Sequence, residues 1–293
     1  MSWCSGLEDI CRRDVPLSEH TWYGLGGPAR WFVTPRSEDE LATVLARCAA
    51  QAVPWRILGR GANVLVRDAG VDAAVIHLTG RAWEAIRFED PLVHVAGGAD
   101  FTRVVKQAVE RGLVGLENLA GIPGSMGGII HMNAGGRYGS IAQYVRDAHL
   151  MTPDGQRLTR SAAQLGFTYR HCALAGAIVT AVTLALQPGD RAAARARFRE
   201  IWTAKHATQP PVSAKSAGCI FKNPPGHAAG KLIDEAGLKG TRRGGAEISP
   251  RHANFIVAHP GARTQDVLDL IALVQERVYH ATGLTLELEV ELW

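Results

Sequence analysis

The sequence predicts an α+β protein of two or three lobes, not one doubly wound sheet. Three observations carry this. At 293 residues the chain is long for a single core. Its βα units are mixed with β-hairpins rather than alternating regularly with strands. The chain also changes character after the Gln209-Pro210-Pro211 break, which ends a long helical pattern. We expect lobes at 1–82 and 83–200, and a C-terminal α+β lobe at 201–293.

The elements follow in order. "RWFVTPRS" is a strand running into a turn. Ser37 with Glu40 three residues later is a capping box, and Leu41, Val44, Leu45 and Cys48 make one apolar helix face. "WRILGRGANVLVRDAG" is strand, glycine turn, strand, and "AAVIHLTG" adds another strand. After the strand in "PLVHVAGGAD", Asp100 caps a helix with Phe101, Val104, Val105, Ala108 and Val109 on one face, stopped by Gly112. "HLMTPDGQRL" is a hairpin around Pro153-Asp154-Gly155, and "AIVTAVTLALQP" is a strand. A helix rich in Ala and Arg runs from Asp190 to about His206. "GKLIDEAGLKG" is a short helix and "HANFIVAH" a strand. Thr264 caps a long amphipathic helix, and the alternation in "TLELEVELW" marks a half-buried strand. There is no internal repeat.

Composition narrows the function. The hydrophobic fraction of 46% and charged fraction of 20% are those of an ordinary globular protein. The net charge of +4 is spread without a basic run, which argues against nucleic acid and permits an anionic small ligand. No apolar stretch has the length of a membrane span, and the charged N-terminus carries no export signal. The five cysteines are scattered with no CxxC pair, so neither a metal site nor a disulfide framework is indicated. A reduced, cytoplasmic enzyme is the expectation.

Four stretches carry candidate chemistry. In "GRGANVLVRD" (Gly59 to Asp68) two glycines and an asparagine form either a tight hairpin or an anion-binding nest of backbone N–H groups. In "AGIPGSMGGIIHMNAGG", Gly121, Gly124, Gly127 and Gly128 lie within eight residues, with Ser125 among them. Such a backbone can press against a bulky ligand, and a helix starting near Gly127 would offer N–H groups to a pyrophosphate. Tyr169-Arg170 is either a surface cation stacked on a ring or a fork for a carboxylate. Cys219, in "SAGCIFKNPPG", is either a small filler beside a turn or a working thiol. His131 and His171 have no partner at ligand spacing and read as structural. The glutamates of the last strand, taken alone, read as a solvated face.

Together these stretches resemble one family, the UDP-N-acetylenolpyruvoylglucosamine reductases, in its shorter form. The landmarks stand in family order over nearly the whole chain: "HTWYGLGGPA", "GRGANVLV", "GLENLAGIPGSMGG", "MNAGG", "FTYRHC", "SAGCIFKNPPG", "AGKLIDEAGLKG", "HANFIV" and "LELEVEL". The resemblance implies a two-lobed FAD-binding module of the vanillyl-alcohol-oxidase-like type, followed by a substrate-binding lobe. It implies NADPH as reducing cosubstrate and a UDP-sugar enolpyruvate as substrate. The setting is cytoplasmic peptidoglycan synthesis, with the protein a monomer or weak homo-oligomer. It assigns Gly59, Arg60, Gly61, Ala62, Asn63 and Val64 to the flavin. To the same cofactor it assigns Gly121, Ile122, Pro123, Gly124, Ser125, Gly127, Gly128 and Asn133. Arg170 and Glu289 match the catalytic arginine and glutamate. Cys219 stands where most members carry a serine proton donor, and Tyr169, Lys222 and Asn223 match substrate positions. Three departures fall on diphosphate binding: Gly24 and Thr208 replace basic residues, and Glu291 follows the "EV" pair where a basic residue is common. A flavin oxidase of the same fold acting on an alcohol or sugar, and a non-catalytic nucleotide-binding relative, are the competing functions.

Overall fold

The computed structural model describes residues 3–293. The chain divides into two compact units. The first comprises the N-terminal stretch as far as Arg13, Trp31–Arg60 and Ala73–Ala204. The second comprises Asp14–Arg30, Gly61–Asp72 and Lys205–Trp293. This division differs from the expected spans 1–82, 83–200 and 201–293. Two short N-terminal segments pack with the C-terminal residues, and no local signal in the sequence marks such long-range packing.

The first unit holds two separate cores. One lies under a four-stranded sheet in the order Cys11–Pro16, Pro28–Val33, Val71–His77, Trp55–Leu58. Helix α1 (Glu38–Ala50) buries Leu41, Val44, Leu45 and Cys48 in this core. Ser37 accepts from the Glu40 N–H at 3.2 Å, but the Glu40 carboxylate accepts from the Arg36 N–H instead of closing the box on Ser37. The Arg36 guanidinium pulls it there by a charged bond at 2.9 Å.

The other core lies under a five-stranded antiparallel sheet. Its order is Arg157–Ser161, Val145–Met151, Ile178–Ala185, Leu92–Ala96, Ile86–Glu89. Helix α2 (Phe101–Glu110) is capped by Asp100, which accepts from the Thr102 N–H at 2.8 Å. Its buried stripe is Phe101, Val104, Val105, Ala108 and Val109. Each large side chain of such a stripe contributes about 1.5–3 kcal/mol by leaving water. Short helix α3 (Met126–His131) buries Met126, Ile129 and Ile130 in the same core. Helix α4 (Arg191–Thr208) starts where Asp190 accepts from the Ala192 N–H.

The second unit has one core. A meander of Arg242–Arg243, Ala246–Ile248 and Ile256–Ala258 packs with helices α5 (Ala229–Glu235) and α6 (Thr264–Thr282). Thr264 does not cap α6. It is the first helical residue, and its hydroxyl donates to the Val66 carbonyl. The carboxylate of Asp68 accepts from the Thr264 and Gln265 N–H groups instead. A carboxylate at a helix start satisfies free donors and complements the dipole, and here it comes from a distant part of the chain.

The C-terminal segment keeps its alternation, with Leu286 and Val290 buried. It forms a regular ladder only at Glu291–Leu292, which runs parallel to Val64–Leu65. Before that its bonds go to Ile220 and Lys222.

Candidate active site

In the first unit the two glycine stretches meet. A β-carbon on Gly59 would stand 2.1 Å from the Ser125 hydroxyl, so only glycine lets these segments approach so closely. Arg60 lies beside Asp100, with 3.4 Å between charged atoms. Asp100 and Ser125 form an antiparallel bridge, flanked by the Phe101 N–H donating to the Gly124 carbonyl (3.0 Å) and the Met126 N–H donating to the Ala99 carbonyl (2.9 Å).

The expectation that the start of α3 offers its N–H groups to a pyrophosphate is corrected. The Gly127 N–H donates to the Gly97 carbonyl at 2.7 Å, and the Gly128 N–H donates to the Ser125 hydroxyl at 3.4 Å. These donors are satisfied by the fold. The donors left open sit earlier: the N–H groups of Gly121, Gly124 and Ser125 make no hydrogen bond among the described residues. Gly121 and Gly124 have φ of 74° and 136°. A β-carbon on Gly124 would meet only Ile129, at 3.7 Å. Ile122 and Pro123, between them, are half-buried. A bare, unsatisfied backbone with open space above it fits a bulky anionic cofactor such as FAD.

Sequence reasoning missed Gly97 and Gly98, which let the segment beneath α3 pack closely. β-carbons on them would strike the Val179 and Leu78 carbonyls at 2.2 and 2.4 Å. The glycine pair in "AGGAD" was the available signal.

Both ends of the Asn133 carboxamide are held within the fold. At φ 40° and 8% exposed, the residue donates through Nδ2 to the Thr168 carbonyl at 2.8 Å and accepts through Oδ1 from the Ala142 N–H at 3.3 Å. Thr168 opens the tight turn Thr168-Tyr169-Arg170-His171, closed by reciprocal backbone bonds of 3.0 and 3.2 Å between Thr168 and His171. Arg170 has φ 54°, and its guanidinium carbon lies 5.1 Å from the centre of the exposed Tyr169 ring.

In the second unit the structure brings Cys219 and Glu289 onto neighbouring segments. The Ile220 carbonyl accepts from the Glu289 N–H at 2.8 Å, and the Lys222 N–H donates to the Glu287 carbonyl at 2.8 Å. Cys219 and Glu289 are both half-buried. Ala217, Ile220 and Phe221 enter the core around Cys219, which does not join them. Gly218, at φ 76°, turns the chain so that residue 219 stays out.

Of the remaining predicted residues, Lys222 pairs with Glu287 (3.5 Å), and the Asn223 carboxamide oxygen accepts from the Ala229 N–H at the start of α5. Gly61 is pressed against the His20 carbonyl, where a β-carbon would stand 2.1 Å away. Ala62 is half-buried, and Val64 pairs with Glu291. Asn63 donates through Nδ2 to the Glu289 carbonyl at 2.9 Å, so the Glu289 backbone is held on both sides. At the departure Gly24, the Lys215 side chain fills the space of the missing side chain. Its ammonium lies 3.5 Å from where a β-carbon would be.

Sequence reasoning also missed Asn254. Only 2% exposed, it accepts from the Phe221 N–H (2.9 Å) and donates to the Phe221 carbonyl (2.8 Å), while its own carbonyl accepts from the Ile220 N–H. It clamps the segment that carries Cys219. A polar residue inside the apolar run "HANFIV" was the signal.

The bare glycine backbone of the first unit is the kind of surface an FAD-dependent oxidoreductase needs. Comparison with known proteins agrees. Residues 29–161 match the FAD binding domain family, and residues 209–293 match the C-terminal domain of UDP-N-acetylenolpyruvoylglucosamine reductase. The chain belongs to the UDP-N-acetylenolpyruvoylglucosamine reductase family.

It is 42% identical over 284 residues to UDP-N-acetylenolpyruvoylglucosamine reductase 2 of Symbiobacterium thermophilum, covering 96% of this chain and 92% of that one. It is 44% identical over 281 residues to the reductase of Anaeromyxobacter dehalogenans, with coverages of 96% and 84%. The crystal structure of the Thermus caldophilus reductase superposes with a TM-score of 0.85 at 41% identity, covering 97% of this chain and all of that one. A glucose oxidase variant of Phl p 4 shares the fold at a TM-score of 0.50 and 14% identity. The protein is thus a flavoenzyme of peptidoglycan synthesis that acts on a UDP-sugar enolpyruvate.

Proposed function

We propose that this chain reduces the enolpyruvyl ether of UDP-N-acetylglucosamine enolpyruvate with NADPH as reductant, and that Arg170, Cys219 and Glu289 carry the step at the substrate. The observation that supports it most is the placement of Cys219 and Glu289 on hydrogen-bonded neighbouring segments, both outside the core. FAD held against the Gly121–Ser125 backbone would supply the hydride chemistry, directed at C3 of the enolpyruvyl group. Negative charge would then develop at C2 and its carboxylate, where the Arg170 fork and a Glu289 that is protonated or donates a hydrogen bond would stabilise it. The Cys219 thiol donates its proton to C2. Tyr169, Lys222 and Asn223 line the substrate side in this reading.

The direct test is a flavin spectrum of the purified protein, followed by NADPH consumption with and without the enolpyruvyl nucleotide. Consumption that requires the nucleotide is expected. A flavin that oxidises alcohols or sugars instead, or no flavin at all, would replace the proposal.

The cradle has its own test. Gly124→Val should empty the protein of FAD, because a branched side chain would occupy the approach and valine does not adopt φ 136°, so the backbone of the cradle must shift. Full FAD content in the folded variant would move the flavin elsewhere.

We further infer that the protein works in the cytoplasm as a monomer or weak homo-oligomer. Its five scattered cysteines, without a CxxC pair, suit a reducing compartment. A sedimentation mass well above 31.5 kDa at assay concentration would overturn the monomer.

A further inference from the structure

The turn that carries Arg170 is anchored by a side chain from the glycine-rich segment. Asn133 lies just beyond the C-terminal end of α3, where its own N–H donates to the Ile130 carbonyl at 3.0 Å. From that fixed point its carboxamide bridges two loops. Nδ2 reaches the Thr168 carbonyl, and Oδ1 holds the Ala142 N–H. The Thr168 carbonyl thus accepts two bonds, one from Asn133 and one from the His171 N–H that closes the turn. Arg170 sits inside that turn at φ 54°, a conformation a non-glycine residue holds only when its surroundings enforce it. Cys172, only 3% exposed, anchors the other flank through the Leu165 carbonyl. Asn133 pins the Thr168 end of the turn.

We infer that Asn133 is a positioning residue for Arg170: its carboxamide locks the Thr168–His171 turn and so fixes the guanidinium where charge develops on the substrate. The inference rests on the role proposed for Arg170. Asn133 also suits its site in a way few residues could. It tolerates positive φ, and it supplies a donor and an acceptor from one short planar group. Aspartate has the same shape and keeps the acceptor for the Ala142 N–H, but it sets an oxygen against the Thr168 carbonyl.

The test uses the FAD-loaded protein and reads its two half-reactions separately. Asn133→Asp should retain FAD and be reduced by NADPH at close to the parent rate. Its reoxidation by the enolpyruvyl nucleotide should slow by roughly 10- to 100-fold, the scale of one buried hydrogen bond turned into a repulsion at a site where small displacements are costly. Backbone amides of residues 165–174 should exchange with deuterium faster than in the parent. Asn133→Gly, which keeps the backbone conformation without strain, should show the same pattern and serves if the aspartate variant folds poorly.

Loss of FAD with both half-reactions impaired would return Asn133 to the flavin site and overturn the inference. So would two unchanged half-reactions. Arg170→Lys, measured alongside, separates the two layers. If it reoxidises slowly while Asn133→Asp behaves as the parent, the positioning role alone fails. If Arg170→Lys itself reoxidises normally, the role of Arg170 fails and the positioning role with it.

Discussion

Arg170→Lys is expected to slow reoxidation by the enolpyruvyl nucleotide by roughly 100-fold or more, while reduction by NADPH stays near the parent rate. Lysine keeps the charge but loses the planar fork. A carboxylate gaining charge in the transition state is met by two parallel N–H bonds from arginine, and by one compact, strongly hydrated ammonium from lysine. The turn adds to the effect. Arg170 at φ 54° sits between the two reciprocal Thr168–His171 bonds, so the backbone cannot shift to bring a shorter side chain forward. Only the second half-reaction builds charge on the substrate, so only that half should suffer. Stopped-flow measurement of flavin absorbance in both directions decides. Equal slowing of the two halves would show that Arg170 serves the flavin or the fold.

Cys219→Ala is expected to abolish turnover of the enolpyruvyl nucleotide while leaving flavin reduction by NADPH intact, and Cys219→Ser should keep substantial activity. The alanine variant removes the proton donor, whereas serine retains one. Stability should hardly register the change, because residue 219 is half-buried and outside the core that takes in Ala217, Ile220 and Phe221. A shift of the unfolding midpoint by more than a few degrees would point to packing instead, as would an alanine variant that turns over like the parent.

Alkylation gives a second view of the same thiol. Burial pushes the Cys11 thiol up to about 12 and those of Cys48 and Cys172 up to about 11. All three remain protonated, and therefore sluggish, at pH 8. Iodoacetamide at that pH should inactivate the protein with Cys219 modified ahead of these three, and the enolpyruvyl nucleotide should protect. Peptide mass spectrometry reads the order. Inactivation that tracks one of the buried thiols would remove Cys219 from the site.

How far the sequence alone reaches can be seen residue by residue. The α2 stripe from Phe101 to Val109, the Asp100 cap, the hairpin around Gly155 and the α1 face were legible because each is periodic or local: a 3.6-residue repeat, a cap two residues from its donor, a turn that needs glycine. The candidate chemistry at Arg170, Cys219 and Glu289 was legible because motifs stood in a recognisable order, and the match over 96% of the chain to a relative of the family bears out that recognition.

The contacts that build the site were decided only by tertiary structure. Gly59 against Ser125, Gly97 receiving the Gly127 N–H, Asn133 holding Thr168, Asn63 holding Glu289 and Asn254 clamping Phe221 join residues from 30 to 226 positions apart. The same holds for the capping of α6 by Asp68, which the sequence assigned to Thr264. A glycine or an asparagine declares locally only that it can turn or bond. Which carbonyl it meets depends on how the cores of the chain fold on themselves, because a hydrogen bond needs a partner within about 3 Å and in line. Sequence determined the chemistry this protein can perform and the elements that hold it. The packed fold decided which donors were spent on structure and which backbone was left bare for a ligand.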